Sequence, residues 1–357
     1  MRKLSKIAAA VSLAMGVAAG PALAEDPLKV GFLYVGPVSD FGYSYQHDQA
    51  RQYLEKEFGD KIETTYIENV TEPADAERAI ERLARSGHEL IFTTSFGFMN
   101  PTLKVAKRFP DVKFEHATGY KRAKNVSTYS ARFYEARYVM GQIAASESKT
   151  GVAGYVAAFP IPEVVRGMNS FMLGAQSVNP DFKIKIIWAN SWYDPGREAD
   201  AAKALIDQGA DVIVQHTDSP APLQIAQERG VLTFGQASDM IKFAPEAQAS
   251  ALVNDWKSYY KNRVEAVMND TWESSDTWGG FKAEMVRMAP YANVSEETIK
   301  LANETVAKLE AGEFHPFTGP VMKQDGSEWL KEGETADDGT LLGMNFYVKG
   351  FTDSLPN

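Results

Sequence analysis

One pattern occurs twice in this chain, and it restricts the possible folds more than any other feature. Each copy is an amphipathic helix, a glycine and a short apolar strand, over residues 78–94 and again over residues 200–216. Gly87 and Gly209 suit the left-handed position that ends a helix. The apolar runs that follow are typical of strands covered on both faces. The period is too long for a solenoid, so the repeat predicts two similar α/β lobes with a ligand-binding cleft between them.

Strands alternate with helices in both halves, which predicts a mostly parallel sheet flanked by helices in each lobe. We assign residues 27–131 and 253–291 to lobe 1, and residues 132–252 and 292–350 to lobe 2. This division requires the chain to cross several times through a hinge. Residues 132–146 begin the second lobe as a helix with one apolar face. The pattern weakens beyond Gly312, where the charged residues 331–338 predict a surface loop.

The first 24 residues have the features of a cleavable signal peptide. A basic start is followed by an apolar stretch over residues 7–19, too short to span a bilayer, and by the cleavage motif Ala22-Leu23-Ala24. The chain has no cysteine, which excludes disulfide bonds and a lipid anchor. We therefore expect an exported, periplasmic protein that does not insert into the membrane.

The remaining composition argues against several classes of function. A formal net charge of -10 disfavours nucleic acid and anionic membrane surfaces as partners. The five histidines show no metal-ligand spacing, and neither a Gly-x-Ser-x-Gly elbow nor a phosphate-binding Gly-x-x-x-x-Gly-Lys loop is present. These observations predict a protein that is not an enzyme and that uses no metal and no cofactor.

The candidate site lies in the loops that follow the strands, because ligands of open parallel sheets bind outside the carboxyl ends of the strands. These loops combine aromatic rings, which stack, with carboxylates and amides, which form directional hydrogen bonds, and so suit a flat polar ligand. The candidate ligand-binding residues are Asp40, Phe41, Tyr43, Ser95, Phe96, Trp192, Asp218, Gln236, Asp239 and Trp256.

Each candidate also has an alternative interpretation that involves no ligand. Phenylalanine rings can anchor the loops in their own lobe, which applies to Phe41 and Phe96. Aspartates can cap helices, which is the alternative for Asp40, Asp218 and Asp239. Trp256, which lies beside the predicted crossover, can pack in the hinge.

Four groups of segments give the chain a resemblance to a known family. They are residues 40–48; residues 148–151 with 162–169; residues 192–195 with 208–213; and residues 215–219 with 239–240. At these segments the chain resembles the basic membrane protein (BMP) family of substrate-binding proteins of ABC transporters. The resemblance implies the type I periplasmic-binding fold, with two lobes that close on a small ligand and deliver it to a permease.

The resemblance also implies a class of ligand, a purine base or nucleoside. In the family an aromatic side chain of the first loop stacks on the base, which corresponds to Phe41 or Tyr43. An aspartate after a late strand binds ribose, and Asp239 is the nearest equivalent. Because Gly235-Gln-Ala-Ser-Asp replaces the usual Gly-x-Asp, a free base is favoured. We expect a monomeric periplasmic receptor; the alternatives are a sugar receptor of the same fold and a periplasmic nucleoside hydrolase.

Overall fold

Two six-stranded sheets form the framework of the computed structural model, which describes residues 26–39 and 41–356. The predicted signal peptide and Asp40 therefore lie outside the described residues. The first sheet has the strand order β11-β5-β4-β3-β1-β2, and all of its pairings are parallel. Its strands are β1 (Leu28–Leu33), β2 (Ile62–Ile67), β3 (Leu90–Thr93), β4 (Lys113–Ala117), β5 (Val126–Ala131) and β11 (Asp276–Gly279).

The second sheet repeats this arrangement with the strand order β12-β10-β9-β8-β6-β7. Only the pairing of its edge strand β12 with β10 is antiparallel. Its strands are β6 (Val152–Ala157), β7 (Lys183–Trp188), β8 (Val212–His216), β9 (Leu232–Gly235), β10 (Gln248–Asn254) and β12 (Val286–Met288). A two-stranded ribbon of β13 (Val321–Met322) and β14 (Glu328–Leu330) lies near the C-terminus.

Helices flank both sheets, which confirms the predicted α/β class with two similar lobes. They are α1 (Gly42–Phe58), α2 (Pro73–Arg85), α3 (Met99–Ala106), α4 (Phe133–Glu147), α5 (Pro162–Gln176), α6 (Pro195–Asp207), α7 (Ala221–Arg229), α8 (Lys257–Met268), α9 (Glu296–Ala311) and α10 (Asp338–Leu342).

The sequence repeat corresponds to equivalent units of the two sheets. Helix α2 leads into β3, and helix α6 leads into β8, each through a glycine with a positive φ angle: 85° at Gly87 and 97° at Gly209. Every residue of β3 and of β8 is buried, because helices cover both faces of the sheet. The repeat thus predicted both the turn and the burial correctly.

The chain passes between the sheets after β5, after β10 and between β11 and β12. Lobe 1 and lobe 2 below mean the parts built on the first and second sheets, and their exact boundaries stay a prediction. The strand pairing differs from the predicted boundaries at two places. Val253 and Asn254, which we assigned to lobe 1, are the last residues of β10 in the second sheet. Val286–Met288, which we assigned to lobe 1, pairs with β10 in the second sheet.

Helices α4 and α5 pack unusually closely beneath the second sheet. A Cβ atom at Gly141 would lie 2.1 Å from the carbonyl oxygen of Phe171, and one at Gly174 would lie 2.0 Å from that of Tyr138. The absence of side chains at these glycines lets the two backbones approach. This contact buries most of α4, including Arg137, on all sides.

The C-terminal segment packs against this helix pair. The Asn169 side chain on α5 donates to the Phe346 carbonyl at 2.8 Å and accepts from the Val348 amide at 3.1 Å. Arg132 donates to both carboxylate oxygens of Asp338, at 2.7 Å each. The region predicted as a surface loop is exposed over residues 331–335, and helix α10 begins at its end.

Candidate ligand-binding cleft

The carboxyl ends of the parallel strands in the two lobes meet around one cavity. It is narrow in this structure, with a cavity volume of about 20 Å³, about the space that one water molecule needs. Lobe 1 contributes residues that follow β1, β3 and β4, and lobe 2 contributes residues from the ends of β6, β7, β8 and β9. The lining residues are Val35, Tyr43, Ser95, Phe96, Thr118, Phe133, Glu163, Trp192, His216, Asp218 and Gln236.

Most of the described candidate residues come together at this cavity. Those that line it are Tyr43, Ser95, Phe96, Trp192, Asp218 and Gln236. The rule that ligands bind at strand ends accounts for this outcome, because each of these residues follows a parallel strand of one of the two sheets.

Phe41 has other contacts in the structure. Its ring stacks on Tyr45 at a centroid distance of 4.3 Å and meets Phe243 of lobe 2 edge-on at 5.7 Å. The Lys242 ammonium lies 3.8 Å from the centre of the Phe41 ring, which is a cation–π contact. Phe41 thus packs across the mouth of the cleft onto the opposite lobe.

Asp239 and Trp256 both have partners within the protein. Asp239 Oδ1 accepts hydrogen bonds from the Ile241 amide at 3.1 Å and from Gln248 Nε2 at 2.8 Å. Trp256 is fully buried and stacks on His47 at 4.8 Å. Asp239 thus holds a local turn without capping a helix, and Trp256 packs behind the cleft.

Trp192 is held in the cavity wall by its own backbone and by neighbouring rings. Its carbonyl oxygen accepts a hydrogen bond from the Asp218 amide at 2.8 Å, so the loop after β7 is tied to the loop after β8. The indole meets Phe159 edge-on at 5.4 Å and lies 6.2 Å from the His216 ring. The ring is therefore fixed before any ligand stacks on it.

Tyr43 is supported from behind by a buried aromatic network in lobe 1. It meets the His47 ring edge-on at 4.4 Å, and His47 Nδ1 lies 2.5 Å from the Tyr260 hydroxyl. That hydroxyl lies 2.9 Å from the hydroxyl of Tyr129. Burial lowers the pKa of His47 well below its ordinary value, so the imidazole is neutral. Trp256 completes the support of Tyr43 by stacking on the far side of the network.

Three titratable side chains in the cavity wall belong to lobe 2. Glu163 Oε1 lies 3.5 Å from His216 Nε2. Burial lowers the pKa of His216, although Glu163 acts to raise it. Burial raises the pKa of Asp218 well above its ordinary value, and the nearby carboxylates of Glu198 and Glu163 raise it further. Asp218 therefore favours the neutral carboxyl, which can donate as well as accept a hydrogen bond.

The cavity opens into a wider outer chamber. This chamber has a volume of about 540 Å³ and shares Phe96, Thr118 and Glu163 with the inner cavity. Exposed Tyr120 and buried Arg166 lie in its wall. A flat ligand in the inner cavity would thus have one edge toward the outer chamber.

Comparison with known proteins identifies the family. A model of the Bmp family, described as ABC transporter substrate-binding protein PnrA-like, matches residues 28–313. The chain belongs to the Bmp family. This membership confirms the resemblance drawn from the four groups of segments, and it implies a small-molecule ligand, a permease partner and a location outside the cytoplasm.

Similar proteins and structures agree with this family. The chain is 65% identical to a purine-binding protein of Brucella abortus, over 94% of this chain and 96% of the relative. It is 38% identical to a candidate glucose-binding protein of a Haloferax volcanii ABC transporter, over 95% of this chain and 83% of the relative.

A solved ABC transporter solute-binding protein of Aeropyrum pernix has the same fold. Its TM-score is 0.71 at 19% identity, and the match covers 88% of this chain and 95% of that one. Among the residues described in our Bmp protein, no helix combines the length and apolar character needed to cross a membrane.

Sequence reasoning missed part of the cavity wall of this Bmp protein: Val35, Thr118, Phe133, Glu163 and His216. Val35 and Thr118 follow β1 and β4, so the strand-end rule could have found them. Glu163 and His216 lie within segments that carry the family resemblance. Phe133 begins α4, directly after a crossover, and has no comparable signal.

Proposed function

We propose that this Bmp protein captures a purine in the cavity between its lobes and delivers it to an ABC permease. The observation that carries the proposal is the cavity itself, in which aromatic side chains of both lobes and a few polar side chains surround a small space. Trp192 would stack on one face of the purine, and Tyr43 or Phe96 on the other. The similarity to a purine-binding protein over almost the whole chain supports this ligand class.

The polar groups of the cavity suit the edge of a purine. Asp218, Gln236 and Ser95 would form hydrogen bonds to ring nitrogens and exocyclic groups, and His216 with Glu163 would supply a further donor and acceptor. Because the inner cavity is narrow, we infer that it takes the flat base once the lobes separate enough to admit it. In a nucleoside, the ribose would extend toward the outer chamber rather than contact Asp239, which lines neither space.

Closure of the lobes would follow from ligand contacts on both sides of the cleft. A ligand that touches Tyr43 of lobe 1 and Trp192 of lobe 2 stabilises the closed arrangement relative to an open one. The closed form then presents the permease with a surface that the open form lacks.

A thermal-shift screen of refolded, ligand-stripped protein tests the ligand class. A ligand that binds only the native state raises the melting temperature by mass action. We expect a shift with adenine, guanine, hypoxanthine or xanthine and none with ribose. If nucleosides raise the melting temperature and free bases do not, the ligand is a nucleoside. If sugars alone raise it, the purine assignment is wrong.

A sugar receptor is the second candidate, because of the 38% identity to the candidate glucose-binding protein. Sugars also stack on aromatic rings, so Trp192 would serve either ligand. Glucose and ribose therefore belong in the same thermal-shift screen.

We infer binding rather than catalysis. The Glu163–His216 pair and Asp218 resemble groups that a nucleoside hydrolase could use, but the relatives named above are binding proteins. Incubation with inosine and chromatography for free hypoxanthine tests this inference. Released hypoxanthine that depends on Asp218 would establish the hydrolase instead.

The proposed location and assembly follow from the sequence and the family. We infer that residues 1–24 direct export to the periplasm and are removed after Ala24, and that the mature receptor is monomeric. Mass spectrometry of the exported protein gives the mature N-terminus, expected at Glu25. Light scattering after gel filtration gives the oligomeric state.

A further inference from the structure

A buried arginine behind the cavity contacts one of the residues that line it. The Nη2 group of Arg137 on α4 donates a hydrogen bond to Oε1 of Gln236, which follows β9. Arg137 is fully buried, and Gln236 is 3% exposed and lines the cavity. The arginine thus contacts the cavity wall through the glutamine side chain.

The chemistry of this contact fixes the orientation of the Gln236 amide. A guanidinium group has five N–H donors and no acceptor, so the amide oxygen has to face it. The NH₂ group of Gln236 is then directed away from the guanidinium, and because Gln236 lines the cavity we infer that this group faces the ligand. A flipped amide would place NH₂ against a buried cation and leave both groups without a hydrogen bond.

The packing around Arg137 leaves its guanidinium group little freedom to turn away from Gln236. Arg137 lies on the side of α4 that faces α5, where a Cβ atom at Gly167 would lie 3.7 Å from its Cγ, and its guanidinium lies 5.6 Å from the centre of the Tyr155 ring. Within the described residues, its Nε and Nη1 groups have no hydrogen-bond partner. Gln236 is therefore the side chain that accepts a hydrogen bond from Arg137. Because a buried cation with so few partners is costly, the structure strongly favours keeping this acceptor in place.

We propose that Arg137 acts as a positioning residue that makes Gln236 a fixed hydrogen-bond donor, and that this donor selects purines with a ring nitrogen or carbonyl acceptor at that point. This inference rests on the proposed purine-binding function. Two other polar groups of the wall, Asp218 and His216, change between donor and acceptor when they gain or lose a proton. Gln236 does not titrate, so its preference for an acceptor is independent of pH.

Deaza analogues of adenine test the proposal, because each replaces one ring nitrogen acceptor by C–H. Calorimetric titration gives the affinities of adenine and of 1-deaza-, 3-deaza- and 7-deazaadenine for each variant. In the wild-type protein we expect one analogue to bind on the order of tenfold more weakly than adenine through loss of the Gln236 contact. The Gln236→Leu variant should lose that discrimination at this ring position and keep it at the others.

The Gln236→Glu variant tests the orientation without altering Arg137. One carboxylate oxygen would keep the hydrogen bond from Arg137, and the other would place an acceptor where NH₂ stood. We expect the preference at that ring position to reverse, since two acceptors repel while C–H is tolerated. A variant that kept the wild-type preference would overturn the proposal.

The Arg137→Met variant tests the positioning itself. It removes the donor that holds the amide, so discrimination at the same ring position should fall several-fold while Gln236 is still present. Circular dichroism establishes whether the variant folds, and if it does not, the Gln236→Glu result decides. Folded Arg137→Met protein with unchanged discrimination would refute the positioning by Arg137.

Different results would overturn the role of Arg137 and Gln236 and the proposed purine binding. If wild-type protein binds purines but Gln236→Leu shows the wild-type pattern with every analogue, only this inference is overturned. If wild-type protein binds no purine, the proposed function is overturned, and this inference with it.

Discussion

The backbone amide of Gly42 donates a hydrogen bond to the Ser238 hydroxyl across the cleft, at 2.7 Å. Gly42 begins α1 of lobe 1, and Ser238 follows β9 of lobe 2. A Cβ atom at Gly42 would lie 2.4 Å from the carbonyl oxygen of Asp218, so the lobes meet here without room for a side chain. The structure therefore represents a closed arrangement, and this contact couples closure to the cavity wall at Asp218.

Gly42→Ala should oppose closure. The added methyl group would overlap lobe 2, and overpacking of this kind typically costs about 1–3 kcal/mol. Since ligand binding requires the closed form, we expect the affinity for the purine to fall about tenfold or more. Titration calorimetry measures the affinity, and small-angle scattering with ligand measures the closure.

Gly87→Ala is the matched control for this prediction. Gly87 has a φ angle of 85°, close to the 78° of Gly42, but a Cβ atom there would meet nothing within 4 Å. It carries the same backbone penalty of about 1 kcal/mol without the overlap. Equal affinity losses in the two variants would show that the Gly42 contact does not govern closure.

Trp192→Ala should weaken purine binding by about 1–3 kcal/mol, the size of a lost contact between a base and an aromatic ring. Trp192→Phe should recover part of this loss, because a ring remains. Trp329→Ala serves as a control, since Trp329 packs on Phe346 in the C-terminal segment and does not line the cavity. Unchanged affinity for Trp192→Ala in calorimetry would remove the stacking assignment.

Asp218→Asn should stabilise the ligand-free protein increasingly as the pH rises above about 4, the ordinary pKa of aspartate. Burial raises the pKa of Asp218 in the folded state. The unfolded chain then binds fewer protons than the folded protein above that pH, so the free energy of unfolding falls with pH. The slope is about 1.4 kcal/mol per pH unit until the folded carboxyl ionises. Melting temperatures of the two proteins across this pH range measure the difference.

The Asp211→Asn substitution should change the free energy of unfolding in the opposite direction. Burial acts to raise the pKa of Asp211, but hydrogen bonds from Ser148, Thr150 and the Lys149 amide lower it overall. Its contribution to stability is thus present above the ordinary aspartate pKa and is lost as the pH falls through the folded pKa. The variant should be destabilised at neutral pH. A melting difference for Asp218→Asn that does not change with pH would contradict the account of its pKa.

Tyr260→Phe should destabilise lobe 1 by about 1–3 kcal/mol, because it removes the hydroxyl that meets both His47 and Tyr129 in a fully buried site. Chemical denaturation measures the loss. Tyr120→Phe is the control, since Tyr120 is 58% exposed and its hydroxyl can bond to water. If the two variants had equal stability, the buried network would have no measurable effect.

The fold was predictable from sequence wherever strands are apolar and helices are amphipathic. Strand β5 was missed because its residues, Val-Ser-Thr-Tyr-Ser-Ala, are largely polar. It is buried nevertheless, since the Ser127 hydroxyl accepts from Arg263 at 2.9 Å and Thr128 donates to Asp276 at 2.7 Å. These partners are more than a hundred residues away in sequence, so no local pattern could indicate them.

The site was predictable as far as the strand-end rule reaches. It selected Trp192, Asp218 and Gln236, which line the cavity and follow the ends of their strands; their role in binding stays a prediction. It could not find Arg137, because the helical periodicity of residues 132–146 assigns a single apolar face. The close approach of α4 and α5 buries the remaining faces, which only the packing of two helices distant in sequence reveals.

Calorimetric titration of adenine and hypoxanthine into refolded, ligand-stripped protein tests the central claim most directly. We predict saturable binding with one site per chain for at least one of these bases, and no heat of binding for ribose or glucose. Saturable binding of glucose with no binding of any purine would contradict the purine assignment and leave a sugar receptor of the Bmp family.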